Sequence, residues 1–222
     1  MKIISWNCNC KFREKYKKII EEDADVYIIQ ECEDPQLTNN VDYKKFASNY
    51  LWIGQNKSKG LGIFAKDNIK LERLDWDDFS LKYFLPVRVN DNFNLLGVWS
   101  CNPYIKQYYD YQNNNFDKYD NNMVIMGDFN SNKAWDYLYK PKNHTAVTTK
   151  LKEKGLESVY HYVSNEVPGQ ESQATFYMYR HEDKGFHIDH CFCNLNRVKN
   201  YLILNDESWL KYSDHKPIML EI

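Results

Sequence analysis

Tyr212-Ser213-Asp214-His215-Lys216-Pro217-Ile218 sets an acid beside an imidazole just before the last apolar run of the chain, which continues through Met219 and Leu220. Similar polar clusters stand at the ends of other apolar runs: Asn7 with Asn9, Gln30-Glu31, and Gly127-Asp128-Phe129-Asn130. A further one, His187-Ile188-Asp189-His190, lies inside such a run. Polar groups at strand ends add nothing to an apolar core. They make sense together if the fold draws them into one cleft that holds a divalent cation and a phosphate.

Outward from these clusters, the pattern alternates strand and helix. Residues 1–8 read as a buried strand. Phe12, Tyr16, Ile19 and Ile20 then recur at helical spacing, and residues 25–30 form a second strand. A strand–helix–strand unit requires a crossover and therefore a parallel or mixed sheet. Strand-like runs at 50–53, 62–65, 85–89 and 94–99 follow. Turn signals at Lys59-Gly60, Lys66-Asp67-Asn68 and Asn90-Asp91-Asn92 separate them and suggest hairpins. A helix is expected after Pro103, with Ile105, Tyr109, Gln112 and Phe116 on its apolar stripe. A short strand is expected at 123–126, and another helix at 145–154 ends at Gly155. Strands at 174–177, 187–193 and 217–222 finish the chain, with an exposed loop over 166–173. No linker interrupts the pattern, so residues 1–222 are expected to form a single domain.

Composition narrows the partners. The chain has 222 residues and 26.7 kDa, enough for one large domain. Its 29 Lys and Arg against 31 Asp and Glu give a net charge of -2, so no global field draws in a polyanion, though a local basic patch can. No run approaches the ~18 apolar residues of a membrane span, and the first residues are too short an apolar stretch for a secretory leader. The six cysteines lie in or beside apolar strands. They read as reduced thiols of a cytoplasmic protein, expected to be a monomer.

The clusters carry a coherent chemistry. Water attacks phosphodiesters slowly because the phosphate oxygens repel nucleophiles, and a divalent cation offsets that charge. Magnesium needs one or two carboxylates and keeps several waters; Glu31 and Asp214 are the expected ligands. Asp128 and Asn130 are two apart, so an extended chain would project both to one side, where the acid can orient or deprotonate water. Asn7 and Asn9 share a side in the same way. In a strand, Asp189 would face the same way as His187, Cys191 and Cys193, free to pair with His215. A carboxylate behind an imidazole fixes its tautomer and favours its charged form. An imidazolium beside the phosphate stabilises the pentacovalent transition state. His187 and His190 read as hydrogen-bonded strand histidines.

The order Asn7, Glu31, Asp128 with Asn130, Asp189 and Asp214-His215, each beside a strand, resembles the endonuclease/exonuclease/phosphatase superfamily over essentially the whole chain. Abasic-site endonucleases, DNase I, deadenylases, neutral sphingomyelinases and inositol polyphosphate 5-phosphatases are among its members. Ile4-Ser5-Trp6-Asn7, Ile29-Gln30-Glu31, Met126-Gly127-Asp128-Phe129-Asn130 and Ser213-Asp214-His215 carry the likeness. It implies an α/β fold, a four-layer α/β/β/α sandwich of two mixed β-sheets, with Mg²⁺ or Mn²⁺ as cofactor. By motif position, Glu31 holds the metal with Asp214 and Asn7 near it. Asp128 and Asn130 position the nucleophile, Asp189 pairs with His215, and Asn102 and Asn9 are further substrate contacts. Two positions depart from the pattern: Cys101 stands where many relatives have a catalytic His or Tyr, and His190 where Tyr is usual. The implied function is a metal-dependent phosphodiester hydrolase, a nuclease acting on DNA or RNA, with Tyr104, Tyr108, Tyr109 and Tyr111 as a possible stacking platform. The alternatives are a phosphomonoesterase or lipid- or inositol-headgroup phosphatase, for which Lys57, Lys59 and Arg88 are candidate grips, and a catalytically weakened binding module.

Overall fold

Strands that are apolar on both faces need cover on both sides. The computed structural model, which describes residues 1–222, supplies that cover in layers. The strands are β1 (Lys2–Asn7), β2 (Val26–Cys32), β3 (Tyr50–Asn56), β4 (Lys59–Ala65), β5 (Leu71–Arg73), β6 (Phe84–Val89), β7 (Phe93–Trp99), β8 (Val124–Asp128), β9 (Glu157–Ser158), β10 (Phe176–Tyr177), β11 (Gly185–Phe186), β12 (Asp189–Cys193), β13 (Asn200–Ile203) and β14 (Ile218–Glu221). The α-helices are α1 (Phe12–Ile20), α2 (Val41–Phe46), α3 (Ile105–Asn114), α4 (His144–Lys152) and α5 (Val159–Ser164). One six-stranded sheet runs β13-β14-β1-β2-β4-β3 and a second β5-β6-β7-β8-β12-β9, while β10 and β11 make a separate small hairpin. Both large sheets are mixed: β1 is parallel to β2, and β7 to β8, among antiparallel neighbours.

Side chains alternate between layers with the period of a strand. Ile3, Val26, Ile28, Leu61 and Ile63 of the first sheet meet Leu85, Val87, Leu95, Val124, Met126 and Cys191 of the second in one shared interior. Their neighbours Ile4, Trp6, Tyr27, Ile29 and Phe64 face outward, beneath Phe12, Tyr16 and Ile19 of α1 and Tyr43 of α2. On the far side, Leu96, Val98, Ile125 and Phe192 lie beneath Tyr108 and Tyr111 of α3 and Val147 and Leu151 of α4. Helix, sheet, sheet and helix are thus stacked as the family resemblance implied.

Several local details differ from the sequence reading. The buried residues of α3 are Ile105, Gln107, Tyr108, Tyr111 and Gln112, and the helix ends before Phe116. Tyr108 and Tyr111 are therefore core residues and cannot stack on a ligand. Lys59-Gly60 is not a turn: the hairpin reverses at Lys57-Ser58, and Lys59 opens β4. Gly60 is required there by close packing, since a Cβ would lie 2.2 Å from the Ile53 carbonyl oxygen. The short elements α2, β5, β9, α5 and β13 carry too few residues to show a period.

Gly127 shows how tightly the sheet is built around the site. A Cβ at this position would lie 2.0 Å from the Val98 carbonyl oxygen on the neighbouring strand. Gly127→Ala is expected to destabilise the fold by ~2 kcal/mol or more, the scale of an overpacked core. A urea unfolding curve with a lowered midpoint and an unchanged slope is the expected observation.

Candidate active site

β8 and β12 run antiparallel with Asp128 directly opposite Asp189. The two acids therefore share a face at the sheet end, where facing like charges repel. Both are buried. Donors from three directions answer the charge on Asp128. Asn7 Nδ2 reaches its Oδ2 at 3.0 Å from the other sheet. Asn130 donates its backbone N–H to Oδ1 at 2.9 Å and its side-chain amide to Oδ2 at 3.0 Å. Asp189 instead accepts from His215 Nδ1 at 2.9 Å. The ligating atoms of Asp128, Asp189 and His215 all lie within 4.8 Å of one another.

The chain reaches this arrangement through turns, not extended strands. β8 stops at Asp128, and Asn130 adopts a left-handed φ of 47°. A backbone turn closed by the Asp128 carboxylate thus brings acid and amide together. β1 stops at Asn7 in the same manner, and Asn9, at φ 49°, donates its N–H to Asn7 Oδ1 at 3.0 Å. Ser213 ties the last cluster to the first: its hydroxyl donates to the Asn7 carbonyl at 2.6 Å and accepts the His215 N–H at 3.1 Å. Trp6 Nε1 donates to the His215 carbonyl at 3.0 Å. Thr175 Oγ1 accepts the backbone N–H groups of Ile188 and Asp189, each at 3.0 Å. Sequence reasoning gave Ser213 no role of its own and passed over Thr175, because a lone hydroxyl carries no pattern.

Glu31 is placed by a bulge. The β2–β4 register steps from Gln30↔Leu61 to Cys32↔Gly60, leaving Glu31 as the extra residue, with φ 62°. A bulge of this kind re-aims a side chain out of the ladder. Gln30 is the register partner of Asn7, so Glu31 emerges at the same edge as the acid–imidazole cluster. Its Oε2 holds the Lys59 ammonium at 2.8 Å and accepts from the Cys10 thiol at 3.5 Å. Asp214, beside His215, touches only the Ser213 hydroxyl through its carboxylate, at 3.4 Å. Glu31 and Asp214 carry hard carboxylate oxygens and Asn7 an amide oxygen, the donor types that suit a divalent cation such as magnesium or manganese. An ammonium already on Glu31 marks a position that favours positive charge.

Other expected residues fall around this edge or away from it. Asn102 is exposed and Asn9 half-buried, both on loops that leave the central strands at the site. Cys101 is half-buried. Burial, with help from Asp128 and Glu31, pushes its thiol up to about 12, so it is a neutral group and no base. His190 packs between Phe129 and Phe192 and shares Nε2 with the Ser131 carbonyl at 2.8 Å, a packing role. His187 Nδ1 meets the Gln173 carbonyl at 2.9 Å. Arg88, opposite Asn94, lies toward the other end of its sheet from Trp99 and Asp128.

Electrostatics divides the work. Burial, reinforced by the Asp189 charge, pushes the Asp128 carboxyl up to about 7 against the pull of His215 and its amide donors. Burial alone would lower the His215 imidazole. The Asp189 charge and hydrogen bond, backed by Asp128 and Asp214, more than reverse that and raise it to about 9. The site thus pairs a carboxylate poised near neutrality with an imidazolium whose Nε2 has no protein partner. A carboxylate raised to near neutrality and an imidazole held charged beside it are the components of general acid–base chemistry.

The chain is similar to known proteins over nearly its whole length. A profile of the Endonuclease/Exonuclease/phosphatase family matches residues 4–215. No curated protein matches the sequence. Among solved structures, the chain is similar to a 3'-5' exonuclease (NExo) from Neisseria meningitidis, with a TM-score of 0.73 and 18% identity over 100% of this chain and 99% of that one. An AP endonuclease from Archaeoglobus fulgidus superposes with a TM-score of 0.70 and 18% identity, covering 99% and 98%. The 3' phosphatase NExo from Neisseria, bound to a product DNA hairpin, gives 0.73 and 17%, covering 100% and 99%. These likenesses establish a shared DNase I-like fold.

The His215–Asp189 pair has a defined pH signature in metal-free protein. Its folded imidazole, at about 9, stands above the ordinary 6.5. Its contribution to stability is therefore fully present below pH 6.5 and is lost as pH rises through about 9. NMR titration of His215 in chelated protein should show a midpoint well above 6.5, and Asp189→Asn should move it down by more than one unit. An unperturbed His215 midpoint in the parent protein would remove the imidazolium from the site.

Proposed function

We propose that this chain, which belongs to the Endonuclease/Exonuclease/phosphatase family, is a divalent-metal-dependent phosphodiester hydrolase acting on DNA. The observation that carries the reading is the meeting of Asp128, Asp189 and His215 within 4.8 Å, with Asn7 bridging from the strand beside Glu31. In this reading Asp128 orients the attacking water and takes its proton, and Asn7 and Asn130 hold the carboxylate in position. His215, kept charged and in one tautomer by Asp189, presents Nε2–H to a phosphate oxygen as negative charge builds there. Glu31, Asp214 and Asn7 would hold Mg²⁺ or Mn²⁺, which supplies neutralisation of the phosphate and of the leaving oxygen. Asn102 and Asn9, on the flanking loops, are proposed substrate contacts.

DNA is favoured as substrate by the structural neighbours, an exonuclease, an AP endonuclease and a phosphatase bound to a DNA hairpin. Because one neighbour is a 3' phosphatase, removal of a terminal phosphate by the same groups is the second reading. The net charge of -2 offers no long-range steering. Binding then rests on nearby cations such as Lys15, Lys59 and Arg180. We read residues 1–222 as one domain and as a monomer. All six cysteines are unpaired, and no helix is long and apolar enough to cross a membrane; a reducing, cytoplasmic setting is our proposal.

The test is a substrate panel: DNA duplexes with an abasic site, a 3'-phosphate or a plain 3' end, single strands, RNA and an activated phosphodiester, each with Mg²⁺, Mn²⁺ or chelator. Metal-dependent cleavage of DNA is expected, and no turnover on any substrate would sink the proposal. Asp128→Asn and His215→Ala should each lower kcat by ~10²-fold or more with the fold retained. Glu31→Gln should weaken metal binding before it affects anything else.

A further inference from the structure

We propose that Lys59 is a displaceable counter-cation. It neutralises Glu31 until the divalent metal binds there and then turns to the substrate phosphate, so that metal and DNA bind cooperatively. The inference rests on Glu31 being a metal ligand.

Lys59 is delivered to Glu31 by a rigid device. It opens β4 opposite Asn56, after a turn of only Lys57 and Ser58. That turn is held at both ends: Ser58 N–H donates to Asn56 Oδ1 at 3.0 Å, and Asp34 N–H donates to the Lys57 carbonyl at 2.8 Å. The next residue, Gly60, pairs with Cys32 directly after the Glu31 bulge. Hairpin and bulge thus bring ammonium and carboxylate together at one sheet edge, with Nζ 2.8 Å from Oε2.

The contact is built to be given up. The side chains are 41% and 18% exposed, so water and ions reach the pair. Glu31 Oε1 accepts no hydrogen bond. An ion pair at this exposure is weak, and a divalent cation competes for the same oxygens with twice the charge. Once a metal sits on Glu31, the ammonium faces a like charge and has to leave. No second carboxylate awaits it, for Glu31 is its sole acidic partner. Its other neighbours are the face of Trp99, 5.3 Å away, and the Cys10 and Cys101 thiols. Trp99 stacks on Tyr83 at 5.2 Å and forms a fixed wall on that side. The anion that can satisfy the freed ammonium is a phosphate of the substrate. Substrate binding then removes the competitor from the metal position, and by linkage the metal strengthens substrate binding by the same factor.

The experiment titrates Mn²⁺ into chelator-stripped protein and follows free Mn²⁺ by electron paramagnetic resonance, with and without an uncleavable phosphorothioate DNA duplex. In the parent protein the duplex should tighten Mn²⁺ binding. In Lys59→Met, Mn²⁺ alone should bind ~threefold tighter or more, because the competing charge is gone. The enhancement by duplex should shrink, and KM for DNA at saturating Mn²⁺ should rise more than kcat falls. Lys59→Arg should keep the parent pattern, and thermal unfolding of each variant checks the fold. Mn²⁺ affinity in Lys59→Met equal to or weaker than the parent's overturns the inference while leaving the proposed function standing. A parent protein that binds no Mn²⁺ removes Glu31 as a metal ligand, and this inference falls with it.

Discussion

Two buried carboxylates face each other across the β8–β12 ladder, and the fold has to make that tolerable. Asp128 against Asp189 is an unfavourable cross-strand pair in a place with little water. His215 makes it stable by lending a positive charge to Asp189, and Asn7 and Asn130 by crowding donors around Asp128. Each helper comes from a different part of the chain. Asn7 ends β1 of the opposite sheet, and His215 precedes β14, which is itself β1's antiparallel neighbour. The first and last strands of the chain must therefore lie side by side before the carboxylates are satisfied. Folding and site assembly are one event.

This dependence explains why the site lies where the strands end. The parallel pairs β1–β2 and β7–β8 finish at one edge, and Asn7, Glu31 and Asp128 leave from there. The rigid sheets set their positions, and short left-handed turns set their directions. Asn9, Glu31 and Asn130 all have positive φ, between 47° and 62°. Such conformations are costly for residues with a Cβ and concentrate where a side chain must be aimed. Removing Glu31 from the ladder by a bulge frees its carboxylate while Gln30 and Cys32 on either side stay paired.

Much of this was legible in the sequence, for identifiable reasons. Strands such as 26–32 and 93–99 are long and apolar on both faces, and they announce a buried sheet. The candidate acids stood out because several charged residues end apolar runs in one order along the chain, although each alone reads as a surface acid. Strand alternation left Asp189 free to pair, and the motif order pointed to His215 as its partner. The local geometry was hidden. Asp128 with Asn130, and Asn7 with Asn9, meet through turns closed by their own side chains, although strand spacing would have put them together by another route. Lys59-Gly60 read as a turn because glycine signals both reversal and close packing. The period along α3 was mistaken because Tyr109 and Phe116 fit a helical stripe as well as Tyr108 and Tyr111 do. Only the sheet beneath the helix decides between them.

Charge at this edge is arranged in opposed pairs, and that is a reason to expect switching instead of static stability. Asp189 with His215 is buried, so separating it would strand a charge in a poor solvent. Glu31 with Lys59 is open to water, so separating it costs little. A site that must hold one acid–base pair fixed and exchange another cation needs this asymmetry. Burial decides which pair stays and which yields. That difference comes from strand position: Asp189 lies in register opposite Asp128 on β8, whereas the bulge takes Glu31 out of the ladder at the sheet edge.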